Sequence, residues 1–305
     1  MPRSKTVAVI LVNWNNHAVT ADCISSLMQM SYKDYDIIVV DNGSSDRSAQ
    51  LLEQQFPDII LISSDINSGF TGGNNLGMRY AIDNEYPYLL MLNNDTFVDP
   101  SFLETLVHYM NNHPTVGAIQ PLIYFNHDRS LVWNASSGYN KWLGFTYTNN
   151  YNRHLQKRNT GLKEVDWITG CAFFTRTSIL KETGLLNEKF FMYYEDVDLS
   201  FRVRKAGYAL IYHPDAVIFH IAAMSSKAMV KGKEGFVNPF VHYLNVRNRI
   251  WTLKKYTSGR YAVPAGLFNF LYIVAVIGYF AVRFRFKKLK AVIRGVKDGI
   301  TGNIN

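Results

Sequence analysis

The residues best suited to chemistry include Asn93-Asn94-Asp95, which directly follows the apolar run YLLML. Asp95 is the only acid there, and Mg²⁺ or Mn²⁺ is commonly held by one or two carboxylates together with substrate phosphates. Such an ion would neutralise the charge that develops on a departing diphosphate. Alternatively, Asp95 caps the helix predicted in DPSFLETLVHYM. Asp99 and Ser101 are better placed to do that, which favours the metal site.

A second acidic cluster, Glu195-Asp196-Val197-Asp198, follows the aromatic run FFMYY and begins a predicted helix. Beside dense aromatic residues, the pKa of a carboxyl group can rise into the range of a general base. Glu195 and Asp198 share a helix face at this spacing, so one acid could be catalytic and another structural. Alternatively, the three acids only complement the helix macrodipole.

Two further polar residues end predicted strands. Asp41 follows the β-branched run IIVV, where its carboxylate could accept a hydrogen bond from a ribose hydroxyl or a base N–H. The alternative for Asp41 is an ordinary turn between a strand and a helix. His220 ends the run DAVIFH and is either structural or, if Asp95 holds a metal, a further ligand of that metal.

A glycine-rich segment, NSGFTGGNNLG at residues 67–77, lies at the junction of a predicted strand and a helix predicted in GGNNLGMRYAID. A loop of this composition lets backbone N–H groups approach a diphosphate closely, near a helix N-terminus. The glycines match neither GxGxxG nor GxxxxGK(S/T), so the segment supports neither a dinucleotide fingerprint nor a P-loop.

The first 100 residues alternate between short apolar runs and segments with helical spacing. This pattern predicts an α/β fold, with a mostly parallel sheet covered by helices on both faces. Ligands bind outside the carboxyl ends of the strands in such sheets, and the polar clusters fall at those ends. Residues 101–165 are less periodic and are predicted to form irregular structure or an insertion over the pocket.

Composition excludes several classes of protein. The chain has 305 residues, 48% of them hydrophobic and 18% charged, which argues against disorder. Cys23 and Cys171 are its only cysteines, which makes a disulfide framework or zinc site unlikely and fits a reducing compartment. The first apolar run, Val7 to Val12, is too short for the core of a signal peptide and predicts a strand.

Positive charge is concentrated at the end of the chain. Residues 247–305 contain 12 Lys and Arg against one acid, whereas the rest of the chain has 20 basic and 23 acidic residues. Residues 261–282 include no charged side chain and are followed by RFRFKKLKAVIRGVKDG, so we expect attachment to an anionic membrane surface rather than a full span. Alternatively, these helices only pack on the rest of the protein. Nucleic-acid binding is disfavoured because the basic residues adjoin a long apolar run.

The clusters, in this order, resemble those of the inverting glycosyltransferases of family 2, which have the GT-A fold. The similarity covers most of residues 6–250 and rests on VILVNWNN, IIVVDNGSSDRS, NSGFTGGNNLG, LLMLNNDTFVDPSFL, the segment from VDWITGC to RKAGY, and HYLNVRNRI. The segments GFTGGNN and NND look like those of rhamnosyltransferases that build bacterial surface polysaccharide. Residues 1–245 would be the GT-A domain, with a nucleotide-sugar half at 1–100 and an acceptor half at 101–245. Residues 246–305 would be a helical, membrane-associating tail.

The resemblance also implies roles for residues. Asp196, with Glu195 beside it, would be the base that deprotonates the acceptor hydroxyl, while Asp95 and His220 would hold Mg²⁺ or Mn²⁺. The acceptor pocket would include Trp167, Gly170 and Cys171. Asn93 replaces the first acid of the family's DxD motif, so we expect the metal to bind mainly when the donor is present. The donor, a dTDP- or UDP-sugar, would contact Val12, Asn13, Asn15, Asp41, Asn67, Gly72, Gly73, Asn74, Asn93 and Asn94.

The function implied is inverting transfer of a sugar, L-rhamnose from dTDP-rhamnose, to a glycan or lipid-linked acceptor. It would occur on the cytoplasmic side of the bacterial inner membrane, with the protein attached peripherally. Galactofuranose, glucose or N-acetylglucosamine remain alternative donor sugars. A different hypothesis is a non-catalytic subunit that binds a nucleotide sugar and scaffolds a polysaccharide assembly complex.

Overall fold

The computed structural model describes residues 5–156, 160–222 and 234–304, together with the backbone of 227–232. The chain forms two compact units. The first contains Met1–Gly138, Thr148–Phe191 and Glu195–Ala222, and the second contains Tyr139–Tyr147, Met192–Tyr194 and Ala223–Asn305.

The first part of the chain has the predicted strand–helix alternation. Its elements are β1 (Val7–Asn13), α1 (His17–Met28), β2 (Tyr35–Asn42), α2 (Ser48–Gln55), β3 (Ile60–Ser64), α3 (Gly69–Asp83) and β4 (Tyr88–Leu92). Strand β1 pairs in parallel with β2 and β4, and β2 pairs in parallel with β3. The carboxyl ends of these strands therefore lie at one edge of the sheet, as predicted.

The first unit continues with more regular structure than predicted. Its elements are β5 (Thr96–Val98), α4 (Phe102–Asn112), β6 (Val116–Phe125), β7 (Val132–Asn134), β8 (Ser137–Asn140), β9 (Phe145–Thr148), β10 (Lys163–Glu164), β11 (Ala172–Arg176), α5 (Thr177–Thr183), α6 (Glu195–Lys205) and β12 (Ala209–His220), with β8 and β9 reaching into the second unit. The helix predicted in DPSFLETLVHYM is α4, whereas the prediction of irregular structure over 101–165 is wrong for β6, a buried ten-residue strand. Pro121 weakens the strand pattern of β6, and the pairing of β12 with β6 shifts register next to it.

Within the described residues, ten strands form one mixed sheet, in which β5 pairs with β12, β7 pairs with β6, and the remaining order is β10-β12-β6-β11-β4-β1-β2-β3. Strand β11 is antiparallel to both β4 and β6. Alternate residues of β1 enter two apolar clusters: Val7, Val9 and Leu11 pack in one, and Ala8 and Ile10 in the other. Burial on both faces explains why the strands are continuous apolar runs rather than alternating ones.

The second unit contains β13 (Lys227–Gly232), β14 (Gly235–Val237), α7 (Pro239–Tyr256), α8 (Ala262–Val282) and α9 (Phe286–Thr301). Val246 and Ile250 of α7, Phe280 of α8 and Val292 of α9 form its apolar core. Residue 245, the predicted domain boundary, lies inside α7. The apolar residues of α7 pack in the second unit.

Candidate active site

The carboxylate of Asp41 lies at the carboxyl end of β2 and is held by its neighbours. Its Oδ1 accepts hydrogen bonds from Asn13 Nδ2 at 2.8 Å and Ser44 Oγ at 2.6 Å, and its Oδ2 accepts from the Ser44 N–H at 3.1 Å. Asn13 is fully buried. Asn13 thus orients the Asp41 carboxylate. The sequence predicted only that Asn13 contacts the nucleotide.

A chain of hydrogen bonds links this carboxylate to the cluster after β4. Asn94 Nδ2 donates to Thr20 Oγ1 at 2.8 Å, and Thr20 Oγ1 donates to Asn13 Oδ1 at 2.7 Å. Asn13 in turn donates to Asp41. The carboxyl ends of β4, β1 and β2 are thereby connected. This role of Thr20 was not predicted, because the only signal in the sequence is a polar side chain at an otherwise apolar helix face.

Two of the predicted donor-binding residues, Val12 and Asn15, lie near the carboxyl end of β1. Asn15 has a left-handed backbone with φ of 47°, and its Oδ1 accepts from the Ser45 N–H at 2.7 Å. The Asn15 N–H donates to Ser44 Oγ at 2.9 Å. Val12 packs against α3, where a Cβ atom on Gly73 would lie 2.8 Å from Val12 Cγ1. Both residues therefore lie at the strand edge where the nucleotide is predicted.

The glycine-rich segment is helical from Gly69, so the helix predicted from Gly72 is confirmed and begins three residues earlier than predicted. Helix α3 begins at Gly69 and includes Gly72 and Gly73. The Gly69 N–H donates to Asn67 Oδ1 at 2.9 Å, and the Thr71 N–H donates to the Phe191 carbonyl at 3.2 Å, so these first-turn donors already have protein partners.

Close packing explains why α3 is rich in glycine. A Cβ atom on Gly77 would lie 2.5 Å from Ile10 Cγ2, and one on Gly72 would collide with the side chain of Ser68. The glycines let the helix approach the sheet. This contact offsets the low helix propensity of glycine.

Asparagines fix the start of α3. Asn42 Nδ2 donates to Asn67 Oδ1 at 3.2 Å and to the Gly69 carbonyl at 2.9 Å, while its Oδ1 accepts from the Ser68 N–H at 3.1 Å. Asn42 belongs to the polar cluster predicted at the end of β2, but its role in holding the start of α3 was not predicted. Asn74 Oδ1 is buried and has no hydrogen-bond partner among the described residues, so a ligand hydroxyl could satisfy it.

Asp95 and His220 meet at the predicted metal position. His220 Nε2 lies 3.0 Å from Asp95 Oδ1 and 3.3 Å from Asn93 Nδ2, and both Asp95 and His220 are buried. Their elements hold them in place, because β5 pairs with β12 and the Thr96 position is opposite His220. The sequence predicts this pair, and the structure brings its two members together across 125 residues of chain.

The two side chains fit a divalent cation whose other ligands come from a substrate. No group of three or more His, Cys, Asp or Glu side chains that could hold a metal occurs among the described residues. A carboxylate and an imidazole nevertheless suit Mn²⁺, and hard cations commonly take remaining ligands from phosphates and water. The donor set therefore fits a metal bound jointly with a diphosphate.

Asp196 is held at the start of α6 by two backbone N–H groups. Its Oδ2 accepts from the Gly170 N–H at 2.8 Å, and its Oδ1 accepts from the Val197 N–H at 2.8 Å. The residue is partly exposed, while desolvation by the surrounding protein raises the pKa of its carboxyl group and these hydrogen bonds oppose the rise. A raised pKa and a fixed position are what a general base requires.

The other two acids of this cluster are buried and differ in environment. Burial, followed by the charge of Asp196, raises the pKa of Glu195 well above its ordinary value. The buried side chain of Asp198 accepts from Arg202 Nε at 2.9 Å, and the Arg202 guanidinium also donates to the carbonyls of Gly184 and Leu185. Asp198 is therefore the structural acid that the sequence allowed for.

The predicted acceptor residues surround the Gly170 turn. Trp167 Nε1 donates to the Gly138 carbonyl at 3.0 Å, and the Cys171 carbonyl accepts from the Asn93 N–H at 2.9 Å. Both side chains are buried, and burial raises the pKa of the Cys171 thiol well above its ordinary value. Trp167 and Cys171 thus shape the turn from beneath, whereas Gly170 contacts Asp196 directly.

Comparison with known families identifies the chain. The family described as glycosyl transferase family 2 matches residues 8–184, more than half of the sequence. The chain belongs to glycosyl transferase family 2. It is a glycosyltransferase, and the matched range includes β1 from Ala8 onward, the NND cluster and the Gly170 turn.

Two relatives of this family 2 glycosyltransferase are informative. The N-acetylglucosaminyl-diphospho-decaprenol L-rhamnosyltransferase of Mycobacterium tuberculosis is 28% identical over 221 residues, which cover 67% of this chain and 72% of the relative. The low-salt glycan biosynthesis hexosyltransferase Agl10 of Haloferax volcanii is 28% identical over 205 residues, covering 65% and 62% of the two chains. The glycosyltransferase thus resembles a rhamnosyltransferase and a second hexosyltransferase.

A solved structure confirms the fold of the glycosyltransferase. The mannosyltransferase PcManGT of Pyrobaculum calidifontis, in complex with GDP-mannose and Mn²⁺, matches with a TM-score of 0.59 at 13% identity, over 99% of this chain and 77% of the other. The mixed, mostly parallel sheet with helices on its faces is the predicted GT-A fold.

Proposed function

We propose that this glycosyltransferase moves L-rhamnose from dTDP-L-rhamnose to a hydroxyl of a glycan or lipid-linked acceptor, with inversion, in bacterial surface polysaccharide synthesis. The name of the mycobacterial relative supports both the sugar and an acceptor that carries a lipid diphosphate. The placement of Asp196 carries the proposed reaction, because a fixed carboxylate with a raised pKa suits direct deprotonation of a hydroxyl.

In the proposed step, Asp196 takes the proton from the acceptor hydroxyl as its oxygen attacks the anomeric carbon. A new bond forms between that oxygen and the anomeric carbon, while the bond to the diphosphate breaks on the opposite face and its electron pair leaves with the diphosphate. A single displacement inverts the anomeric configuration. The hydrogen bonds from the Gly170 and Val197 N–H groups would keep the carboxylate aimed during this transfer.

On the diphosphate side, Asp95 and His220 would hold Mg²⁺ or Mn²⁺. When bound, the metal supplies positive charge that stabilises the leaving diphosphate. Asn93 and Asn94 would flank that group, with Asn94 tied to the nucleotide side through Thr20 and Asn13. Asp41 and Asn15 would contact the nucleoside, and Asn67, Gly72, Gly73 and Asn74 would border the sugar diphosphate.

We further propose that the second unit attaches the enzyme to an anionic membrane surface, on the cytoplasmic side of the inner membrane. Helix α8 lies within Gly259–Val282, a helical stretch long and apolar enough to cross a membrane by length and composition. One face of α8 packs in the apolar core of the second unit, through Ile273, Val276, Ile277 and Phe280. Leu267, Phe270 and Leu271 of the same helix are exposed. Only 17% of the most apolar window of this stretch is buried, which leaves an apolar surface for contact with the membrane.

Helix α9 supports the same placement. Lys287, Lys290 and Lys297 are exposed and fall on one face of the helix. Phe286, Ile293 and Ile300 form an exposed apolar row beside them, while the opposite face is buried through Val292 and Gly295. A basic stripe next to an apolar row is the pattern of helices that lie in the interface of anionic membranes.

The donor specificity is tested by measuring initial rates with a panel of nucleotide sugars. The purified protein would receive dTDP-rhamnose, UDP-glucose, UDP-galactofuranose, UDP-N-acetylglucosamine or GDP-mannose, with Mn²⁺ and a polyprenyl-diphospho-N-acetylglucosamine acceptor. We expect transfer from dTDP-rhamnose at least about tenfold faster than from the others. A clear preference for another donor would contradict the rhamnosyl assignment, and no transfer from any donor would favour the scaffold hypothesis.

A further inference from the structure

Lys288, in the first turn of α9, is a buried cation without a matching anion. The residue is only 3% exposed, and its ammonium group has no hydrogen-bond or ion-pair partner among the described residues. Its Nζ lies 5.9 Å from the centre of the Phe280 ring, which is a weak contact for a buried charge. Burial, followed by the charge of Arg285, lowers the pKa of this ammonium group. Because a buried charge is costly unless it is paired, an anion is expected beside Lys288.

The second unit contains few acids that could supply this anion. Glu234 and Asp298 are the only Asp or Glu residues in the sequence of the unit. The Asp298 carboxylate accepts from the Tyr243 hydroxyl at 2.8 Å and forms an ion pair with Arg294 at 3.5 Å. Glu234 is therefore the one acid of the unit left to balance the charge of Lys288.

Glu234 binds the beginning of α9 rather than the Lys288 ammonium group. Its Oε1 accepts from the Lys287 N–H at 3.2 Å, and its Oε2 accepts from the Lys288 N–H at 3.4 Å. Backbone N–H groups and the helix dipole favour negative charge at this end of a helix. The carboxylate of Glu234 therefore marks a position that accepts an anion, while the charge of the Lys288 side chain stays unpaired.

Arg285 adds a second cation at the same position. It directly precedes α9 and is partly exposed, and its guanidinium lies 3.4 Å from the point where a Cβ atom on Gly235 would be. Gly235 follows Glu234 in the chain, so the guanidinium lies next to the turn that contains this acid. Burial, followed by the charges of Lys288 and Arg285, lowers the pKa of His242 to about 4, which leaves its imidazole uncharged at neutral pH. Two cations therefore face a single carboxylate, and the cluster has an excess of positive charge.

We propose that Lys288, Arg285 and the first N–H groups of α9 form a binding site for the terminal phosphate of a lipid. Ionised phosphate oxygens form short, strong hydrogen bonds with Lys, Arg and the N–H groups of a helix N-terminus. A terminal phosphate is small enough to approach a side chain that is only 3% exposed, whereas a substituted headgroup is not.

The surroundings of the site favour a lipid over free phosphate. Phe284 and Phe286, on either side of Arg285, are exposed, as is Val282 at the end of α8. Apolar side chains of this kind would contact the acyl chains while the phosphate lies at Lys288. The choice of a lipid rests on the proposed membrane attachment, whereas the anion site rests on the contacts and charges of the second unit.

The site is tested with the full chain and phosphatidylcholine vesicles that contain either phosphatidic acid, which has a terminal phosphate, or phosphatidylglycerol, which does not. The two kinds of vesicle are matched in surface charge, so that general electrostatic attraction cancels in the ratio of their dissociation constants. We expect the wild type to bind phosphatidic acid vesicles at least about tenfold more tightly, because charge-assisted hydrogen bonds contribute that much. Lys288→Met should abolish this preference and keep the fold, since an apolar side chain replaces a buried charge.

Two further variants and a matched control sharpen the test. Arg285→Gln, at the partly exposed edge of the site, should reduce the preference, and Glu234→Gln should increase it because a competing carboxylate is lost. The control Arg294→Gln removes the same charge from α9 and should leave the preference unchanged, because Arg294 pairs with Asp298 further along the helix.

Equal binding of the two kinds of vesicle by the wild type would overturn the inference, and so would an unchanged preference in Lys288→Met. If Lys288→Met does not fold, an unchanged preference in Arg285→Gln would overturn it instead. Inorganic phosphate that binds the wild type, without divalent metal, as tightly as phosphatidic acid vesicles would contradict the choice of a lipid. Failure of the proposed membrane attachment is distinguishable, because the wild type would then bind neither kind of vesicle, and the lipid site would be overturned with it.

Discussion

A single formal negative charge marks the position where the diphosphate is proposed to bind. Asp95 and His220 supply a carboxylate and an imidazole 3.0 Å apart, and Asn93 contributes a neutral amide. A cation bound by so few protein groups needs the oxygens of a substrate to complete its shell. Metal affinity should therefore depend on the donor.

This dependence is measurable by titrating Mn²⁺ calorimetrically with and without the nucleoside diphosphate. We expect at least about tenfold tighter binding when the diphosphate is present, and loss of that gain in Asp95→Asn. Asp99→Asn is the control, because Asp99 accepts from the Ser101 N–H at the start of α4, which asparagine can also do. Tight Mn²⁺ binding by the donor-free protein would contradict this assignment.

At this scale, the sequence predicted candidate acids but not the hydrogen bonds that hold them. Asp95, Asp196 and His220 could be found because each ends an apolar run or begins a helix. The linking of Asn94 to Asp41 through Thr20 could not be predicted, since these residues are far apart in sequence and meet only when the strands are in register.

At the scale of elements, short-range patterns failed where packing decides. Helix α3 was predicted from Gly72 onward, but its close packing was not: the absence of side chains at Gly73 and Gly77 lets it approach β1. Strand β6 contains Pro121, which sequence rules place at edges or irregularities, and the pairing of β12 shifts register beside it. Strands β1 to β4 were predictable because their apolar runs are continuous and separated by clear turns.

Helices α8 and α9 lead to a prediction about membrane binding. Sedimentation with vesicles containing phosphatidylglycerol should recover the protein, whereas vesicles of phosphatidylcholine alone should recover little. Replacing Lys287, Lys290 and Lys297 by Glu should weaken binding about 100-fold or more, since each basic residue near an anionic surface is worth about 1 kcal/mol.

Lys33→Glu with Lys181→Glu provides the matched control, because both lysines are exposed in the first unit. Unchanged vesicle binding by the triple variant would contradict the interfacial role of α9. Binding to duplex DNA in place of vesicles would instead revive the nucleic-acid alternative.

At the scale of the molecule, the charge distribution follows the division into two units. The first unit contains the ten-stranded sheet, Asp95, Asp196 and the proposed donor site. The excess of basic over acidic residues lies in the second unit. The sequence showed this asymmetry directly, because charge can be counted without knowing the fold. The boundary predicted at residue 245 lies inside α7. The packing of Val246 and Ile250 with residues of α8 and α9 is a tertiary contact, which the sequence pattern does not show.

The role of Asp196 as the base is tested most directly by the rate of sugar transfer in Asp196→Asn across a range of pH. In the wild type, we expect kcat to fall as the pH decreases through the pKa of the Asp196–Glu195 pair, which burial raises above the ordinary aspartate value of 3.8, because only the ionised carboxylate accepts the proton. Asp196→Asn should lower kcat by about 100- to 10,000-fold at every pH and still bind the donor. Asp215→Asn, at an exposed position of β12, should leave kcat unchanged. Full transfer activity in Asp196→Asn would contradict the assignment of the base.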